Sequence, residues 1–117
     1  MKDKINSLIG KPHNNDNYHC WHLVCDLVPC APKIDASIGT IREAMSYKDD
    51  VTDGKLREIK SPINGCIVLL GKSERTLYHA GVFYSDGIVH NDENGVRYET
   101  LNKIDEKFPF KKYMICR

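Results

Sequence analysis

The sequence lacks net charge. Lys+Arg 17 against Asp+Glu 16 leaves a formal +1 at pH 7, so no summed field draws the chain to nucleic acid or to an anionic membrane. Neither is expected as a partner. Long apolar runs are also missing. The start MKDKINSLIGKP holds an apolar core only from Ile5 to Ile9, too short for a secretory h-region or a membrane span. The expectation is a chain made in the cytoplasm, with no signal peptide of its own and no membrane insertion. No repeat, low-complexity tract or long linker breaks the 117 residues. A single domain over 1–117 is therefore expected, large enough to bury about two-thirds of its unfolded surface. The cysteines lack an even count: Cys20, Cys25, Cys30, Cys66 and Cys116 cannot all pair internally. That favours reduced thiols, and it leaves open a disulfide from Cys25 or Cys30 to Cys66 or Cys116.

What is present divides into two halves. KDKINSLIG predicts a short helix closed at Gly10 and Pro12, and Trp21, Leu23, Val24, Leu27 and Val28 recur at near-helical spacing until Pro29 and Pro32 end the segment. A further helix is expected within Ser37 to Tyr47, followed by a polar turn in DDVTDGK. After Pro62 the runs GCIVLLG, TLYHAGVFYS, DGIVHN, GVRYETL and KKYMICR predict strands, with a turn at Ser85-Asp86-Gly87. A helical front half and an antiparallel back half imply an α+β fold. The lysines around Asp105 and Glu106 suit a solvated face.

Cys20 sits where NNDNYH passes into the apolar segment, at or near a helix N-terminus. A thiolate gains there from the helix dipole, whereas a structural cysteine would serve equally well further along. Cysteine hydrolysis also needs a base, an orienting group and oxyanion donors. His79 lies within a strand pattern and His90 ends the next one; on adjacent strands the two could share a hydrogen bond, one orienting the other. Most histidines so placed are satisfied core or edge residues.

Gly10-Lys11-Pro12, His19-Cys20-Trp21-His22-Leu23-Val24, Tyr78-His79-Ala80-Gly81-Val82-Phe83-Tyr84 and Asp86-Gly87-Ile88-Val89-His90-Asn91 together resemble the NlpC family of papain-like cysteine peptidases, especially its short phage tail-assembly branch. The likeness runs from Gly10 to about Leu101. It implies a papain-like NlpC-type fold, with N-terminal helices and the nucleophile at a helix start packed on a C-terminal antiparallel sheet. It further implies Cys20 as nucleophile, His79 as base and His90 as the orienting third residue, with no cofactor and no metal. The implied partner is a bacterial peptidoglycan stem peptide, cut within the peptide. Carriage in a phage tail or by a secretion apparatus is the delivery route that the motif order and the missing signal suggest.

The sequence departs from the family pattern at several places. The aspartate before the nucleophile is His19, the glycine two residues after it is His22, the loop tyrosine is His13, and the acid at the central strand start is Cys66. His13, Tyr18 or backbone amides would have to serve the oxyanion. His22 either touches substrate or faces solvent, the latter being favoured, and Trp21 is expected to pack in the core. A zinc site from His19, Cys20, His22 and Cys25 is disfavoured, because Cys20, Cys25 and Cys30 would turn to different faces of one helix. Two other functions stand beside the peptidase: a non-catalytic wall-binding or virion structural module, and an acyl hydrolase or transferase on another substrate.

Overall fold

A computed structural model describes residues 1–33 and 56–117. Two short helices open the chain, α1 (Lys2–Leu8) and α2 (Cys20–Leu27). Strands β1 (Leu56–Ile59), β2 (Ile67–Gly71), β3 (Leu77–Tyr84), β4 (Gly87–Asp92) and β5 (Gly95–Thr100) follow. A third helix, α3 (Leu101–Lys107), leads into β6 (Phe110–Cys116). The six strands form one sheet in the order β1-β6-β2-β3-β4-β5, and every neighbouring pair is antiparallel.

The expected α+β, papain-like NlpC-type arrangement is overturned by this architecture. Among the described residues the protein is β-rich, an antiparallel sheet carrying three short helices. Helix formation is cut short on both sides of Cys20. Gly10 takes φ +88 just beyond α1, and Val28 leaves helical geometry ahead of Pro29, as the steric restriction before proline demands. The helices are thus only seven and eight residues long. The segment Ser37 to Tyr47 and the DDVTDGK turn lie outside the described residues. The sheet also gained an edge strand, β1, whose LREI pattern buries Leu56 but exposes Arg57 and Glu58.

Period-two alternation gives the sheet two buried faces. Ile67, Leu69, Ala80, Val82, Val89 and Met114 pack with Trp21, Leu23, Val24 and Leu27 of α2. Val68, Leu70, Phe83 and Ile88 point the other way and pack with Ile104 of α3 and Phe108 after it. Because β2 lies between β6 and β3 and is covered on both sides, all five of its residues are buried, which explains its unbroken apolar run. The β3–β4 turn is the expected one: Ser85 and Asp86 both have positive φ, as a two-residue type I′ hairpin requires.

Two glycines permit close approaches that shape the site. A Cβ on Gly81 would fall 2.7 Å from the Val89 carbonyl oxygen and 3.1 Å from the His90 Cβ. A Cβ on Gly95, itself at φ +89, would meet the Lys11 carbonyl oxygen at 2.8 Å. There the N-terminal loop is stitched to β5 by Gly10 N–H to Val96 O (2.9 Å) and Val96 N–H to Lys11 O (3.0 Å).

The cysteines divide. Cys30 and Cys116 form a disulfide with Cα atoms 6.2 Å apart, while Cys20, Cys25 and Cys66 are reduced. The bond ties the segment after α2 to the end of β6 across 86 residues of sequence; by loop-closure entropy such a link is worth about 4–5 kcal/mol. Thiol titration in denaturant is expected to find three reactive thiols before reduction and five after it. Five from the outset would remove the disulfide.

Candidate functional site

The polar stretch before α2 is built as a small closed loop. Asn14 and Tyr18 exchange backbone hydrogen bonds at 2.9 Å, and the Asn14 side-chain oxygen accepts from the amides of Asp16 and Asn17. Asn91 of β4 donates from Nδ2 to the Tyr18 carbonyl at 2.9 Å, so the loop is anchored beside His90. The next residue, His19, is the N-cap: its Nδ1 accepts from the Trp21 amide at 3.3 Å. His22 completes a capping box by accepting the His19 amide on its own Nδ1 at 3.1 Å. Two imidazoles therefore do the work usually given to Ser or Asp and Glu or Gln. The two departures from the family pattern on either side of Cys20 hold the helix start together. His22 is half-buried instead of simply facing solvent.

Cys20 is the first residue of α2 and is fully buried. Helix α2 packs on β3 and β4, in the cluster containing Ala80, the neighbour of His79. Trp21 is buried as expected, with its indole N–H donating to Pro32 O at 2.8 Å. The other two reduced thiols are poor nucleophile candidates. Burial pushes the Cys25 thiol up, with the Asp26 charge adding to it, and burial also pushes Cys66 up.

His79 and His90 meet. His79 Nε2 lies 2.9 Å from His90 Nδ1, and both side chains are buried. Phe108 covers them, stacked on His79 at 5.0 Å and 13° and edge-on to His90 at 6.5 Å. Beyond His90 lies a carboxylate that the sequence reading missed: Glu99 Oε1 is 2.8 Å from His90 Nε2. The same oxygen is 3.0 Å from Arg97 and 3.3 Å from Lys107. Arg97 also reaches Asp92 at 2.6 Å. Two carboxylates thus face two cations, and His90 is not needed as a counter-ion. Its burial holds the imidazole below its ordinary pKa, outweighing the bond to Glu99 and the charges of Asp92 and Glu99. Burial would raise Asp92 and Glu99, but hydrogen bonds and the neighbouring positive charges hold both below the ordinary carboxylate value.

A cavity of about 560 Å³ opens beside this pair, lined by His79, Phe108, Asn91, Asp92, Lys107 and His13 among others. Of the four residues expected near the oxyanion or substrate, His13 lines it. Tyr18, Trp21 and His22 line a second cavity of about 440 Å³. The Tyr18 hydroxyl donates to Asp26 at 2.8 Å, and its ring lies under the Lys11 ammonium at 3.6 Å. Burial, the bond to Asp26 and the Asp26 charge push that hydroxyl far above its ordinary pKa, so Tyr18 is committed elsewhere. Asn91 Oδ1 is buried in the wall of the first cavity without a hydrogen-bond partner.

The His90, Asp92 and Glu99 ligand atoms lie within 4.8 Å of one another. Arg97 and Lys107 already supply their positive charge, so a metal ion would have to displace one of them.

No protein-family model matches the chain, and no curated protein does. The reading of the site therefore rests on its own geometry and on the motif order.

The shifts fix the sign of the pH dependence. His90, Asp92 and Glu99 all bind protons more weakly folded than unfolded. Each contributes stability above its unfolded pKa that is lost as pH falls through the folded value. The melting temperature is expected to fall on acidification, starting below the 6.5 of a free imidazole and continuing through the carboxylate range near 4. Thermal scans at pH 7.5, 6, 5 and 4 check this; a level or rising midpoint down to pH 5 contradicts it. Separately, His22→Ala should cost about 0.5–1 kcal/mol in urea unfolding by loss of the cap, with His22→Gln close to wild type.

Proposed function

We propose that the protein is a cysteine-dependent hydrolase cutting an amide bond in the stem peptides of bacterial peptidoglycan. Cys20 is the nucleophile, His79 the base and acid, and His90 the orienting residue. The observation that carries this reading is the buried 2.9 Å contact between His79 Nε2 and His90 Nδ1. It lies in the wall of a polar cavity, on the two strands that α2 packs against. A hydrogen-bonded imidazole pair, with a thiol in the first turn of a helix that packs on the same two strands, offers the residue types of a base, its orienter and a nucleophile. The substrate class rests on the ordered motifs that resemble the NlpC peptidases.

In the reaction, the Cys20 thiol passes its proton to His79, and the sulfur attacks the scissile carbonyl. The amide N–H of Cys20, at the first position of α2, is an oxyanion donor by position. Collapse of the tetrahedral intermediate breaks the C–N bond as His79 protonates the leaving amine. Water gives its proton to His79 as it attacks the thioester carbonyl; the C–S bond breaks, the acid product leaves, and His79 returns the proton to the Cys20 thiolate. Phe108 keeps solvent from the imidazole pair, which strengthens the hydrogen bond between them.

The complete burial of Cys20 favours a second reading, a non-catalytic wall-binding or virion structural module, because a nucleophile must meet its carbonyl. One experiment separates the two. Purified Gram-negative peptidoglycan is digested with wild type and with Cys20→Ala, and soluble muropeptides are identified by mass. Fragments cut within the stem peptide by wild type alone are the expected result. No release by a folded wild type, with Cys20 unreactive to iodoacetamide at neutral pH, gives the result to the non-catalytic module.

A further inference from the structure

The chain of contacts from His79 through His90 ends on a carboxylate, and that end sets the direction of every hydrogen bond in it. An ionised carboxylate only accepts. With Glu99 Oε1 at 2.8 Å, the proton between the two groups belongs to His90 Nε2. A neutral imidazole carries one N–H, so His90 Nδ1 is an acceptor. The atom 2.9 Å from it, His79 Nε2, must then be the donor. A neutral His79 is left with its basic lone pair on Nδ1.

We propose that Glu99 is a positioning residue: acting through His90, it places the proton on Nε2 of both histidines and so makes Nδ1 of His79 the atom that takes the thiol proton. The proposal rests on the hydrolase reading for its consequence, but the proton placement stands on geometry alone.

The surroundings keep Glu99 an acceptor. Its side chain is 9% exposed, and Arg97 and Lys107 converge on the oxygen that His90 uses. Two hydrogen-bond partners and the Arg97 guanidinium crowd Oε1, so that oxygen carries no proton, and the two cations favour the ionised carboxylate. Burial then keeps His90 in its neutral form between Glu99 and His79. When His79 becomes an imidazolium during the reaction, its Nε2–H donates into a ring already polarised by Glu99. The negative charge is thereby felt at His79 without being placed next to it.

The test reads the tautomers directly. Protein labelled with ¹⁵N-histidine is measured by long-range ¹H–¹⁵N correlation at about pH 7.5, with the five histidines assigned through single His→Gln variants. Wild type is expected to show Nε2–H on both His79 and His90; Nδ1–H on either ring overturns the proposal. Glu99→Leu, which offers no acceptor, is expected to mix the His90 tautomers and to slow muropeptide release roughly a hundredfold, the scale of a general-base contribution. Glu99→Gln keeps an oxygen to accept from His90 Nε2 and should restore the wild-type tautomers, with release within about fivefold of wild type by the same scale. A Glu99→Leu variant that folds, judged by its amide spectrum, yet keeps both the tautomers and the rate also overturns it. If Glu99→Leu does not fold, the wild-type spectrum decides alone. If wild type releases nothing from peptidoglycan, the hydrolase reading fails while the tautomer result still stands or falls separately.

Discussion

The structure depends on one buried contact, that of His79 with His90. Two imidazoles inside a sheet are costly unless every ring nitrogen in them finds a partner, and much of the surrounding chain is arranged to satisfy this pair. Gly81 lets β3 and β4 close up beside His90. Phe108, delivered by α3, roofs the rings. Glu99 on β5 answers the far nitrogen of His90. The order β3-β4-β5 in the sheet is thus also the order of the hydrogen-bonded chain, with one member on each strand.

The same economy appears at the start of α2. The helix is only eight residues long, too short to be stable by itself, so it relies on packing against β3 and β4 and on its cap. His19 and His22 provide that cap. The Cys30–Cys116 bond fixes the segment just beyond its other end to β6. Helix α2 is therefore held at its start and shortly after its finish, which is what a fixed position for Cys20 requires.

The parts of this arrangement governed by local rules were legible in the sequence. Cys20 was placed at a helix start by the step from NNDNYH into an apolar segment. The pairing of His79 with His90 followed from two β-rich runs around a tight turn. Glu99 was not read, though a signal existed. The Asn94-Gly95 dipeptide marks the turn after β4, and counting back from it sets Arg97 opposite His90 with Glu99 two residues further on the same face. Helix α3 hides behind its charges: the lysines around Asp105 and Glu106 suit a solvated face and Leu101 ends a β-rich run, yet Leu101, Ile104 and Phe108 recur at helical spacing. The disulfide had no local signal, since nothing near Cys30 or Cys116 reports what lies 86 residues away. The fold class was misjudged for a simple reason. The front half was expected to be mainly helical, but its described helices are only seven and eight residues long, and these with α3 against six strands make a β-rich protein.

The use of a histidine where a carboxylate could have oriented His79 has a physical rationale in the charges around it. On the proposed mechanism, a carboxylate bonded directly to His79 would stand in the wall of the cavity, where Asp92 and Lys107 already lie, and would hold a full negative charge beside the Cys20 sulfur. Moving the acid one residue deeper, behind His90, keeps an orienting force, because hydrogen bonds in a chain polarise one another. The charge itself stays with Arg97 and Lys107, which balance it. His79 then faces a neutral neighbour, and the sulfur is spared a second anion. A neutral relay between a base and a balanced carboxylate orients the base at the smallest electrostatic cost to a thiolate.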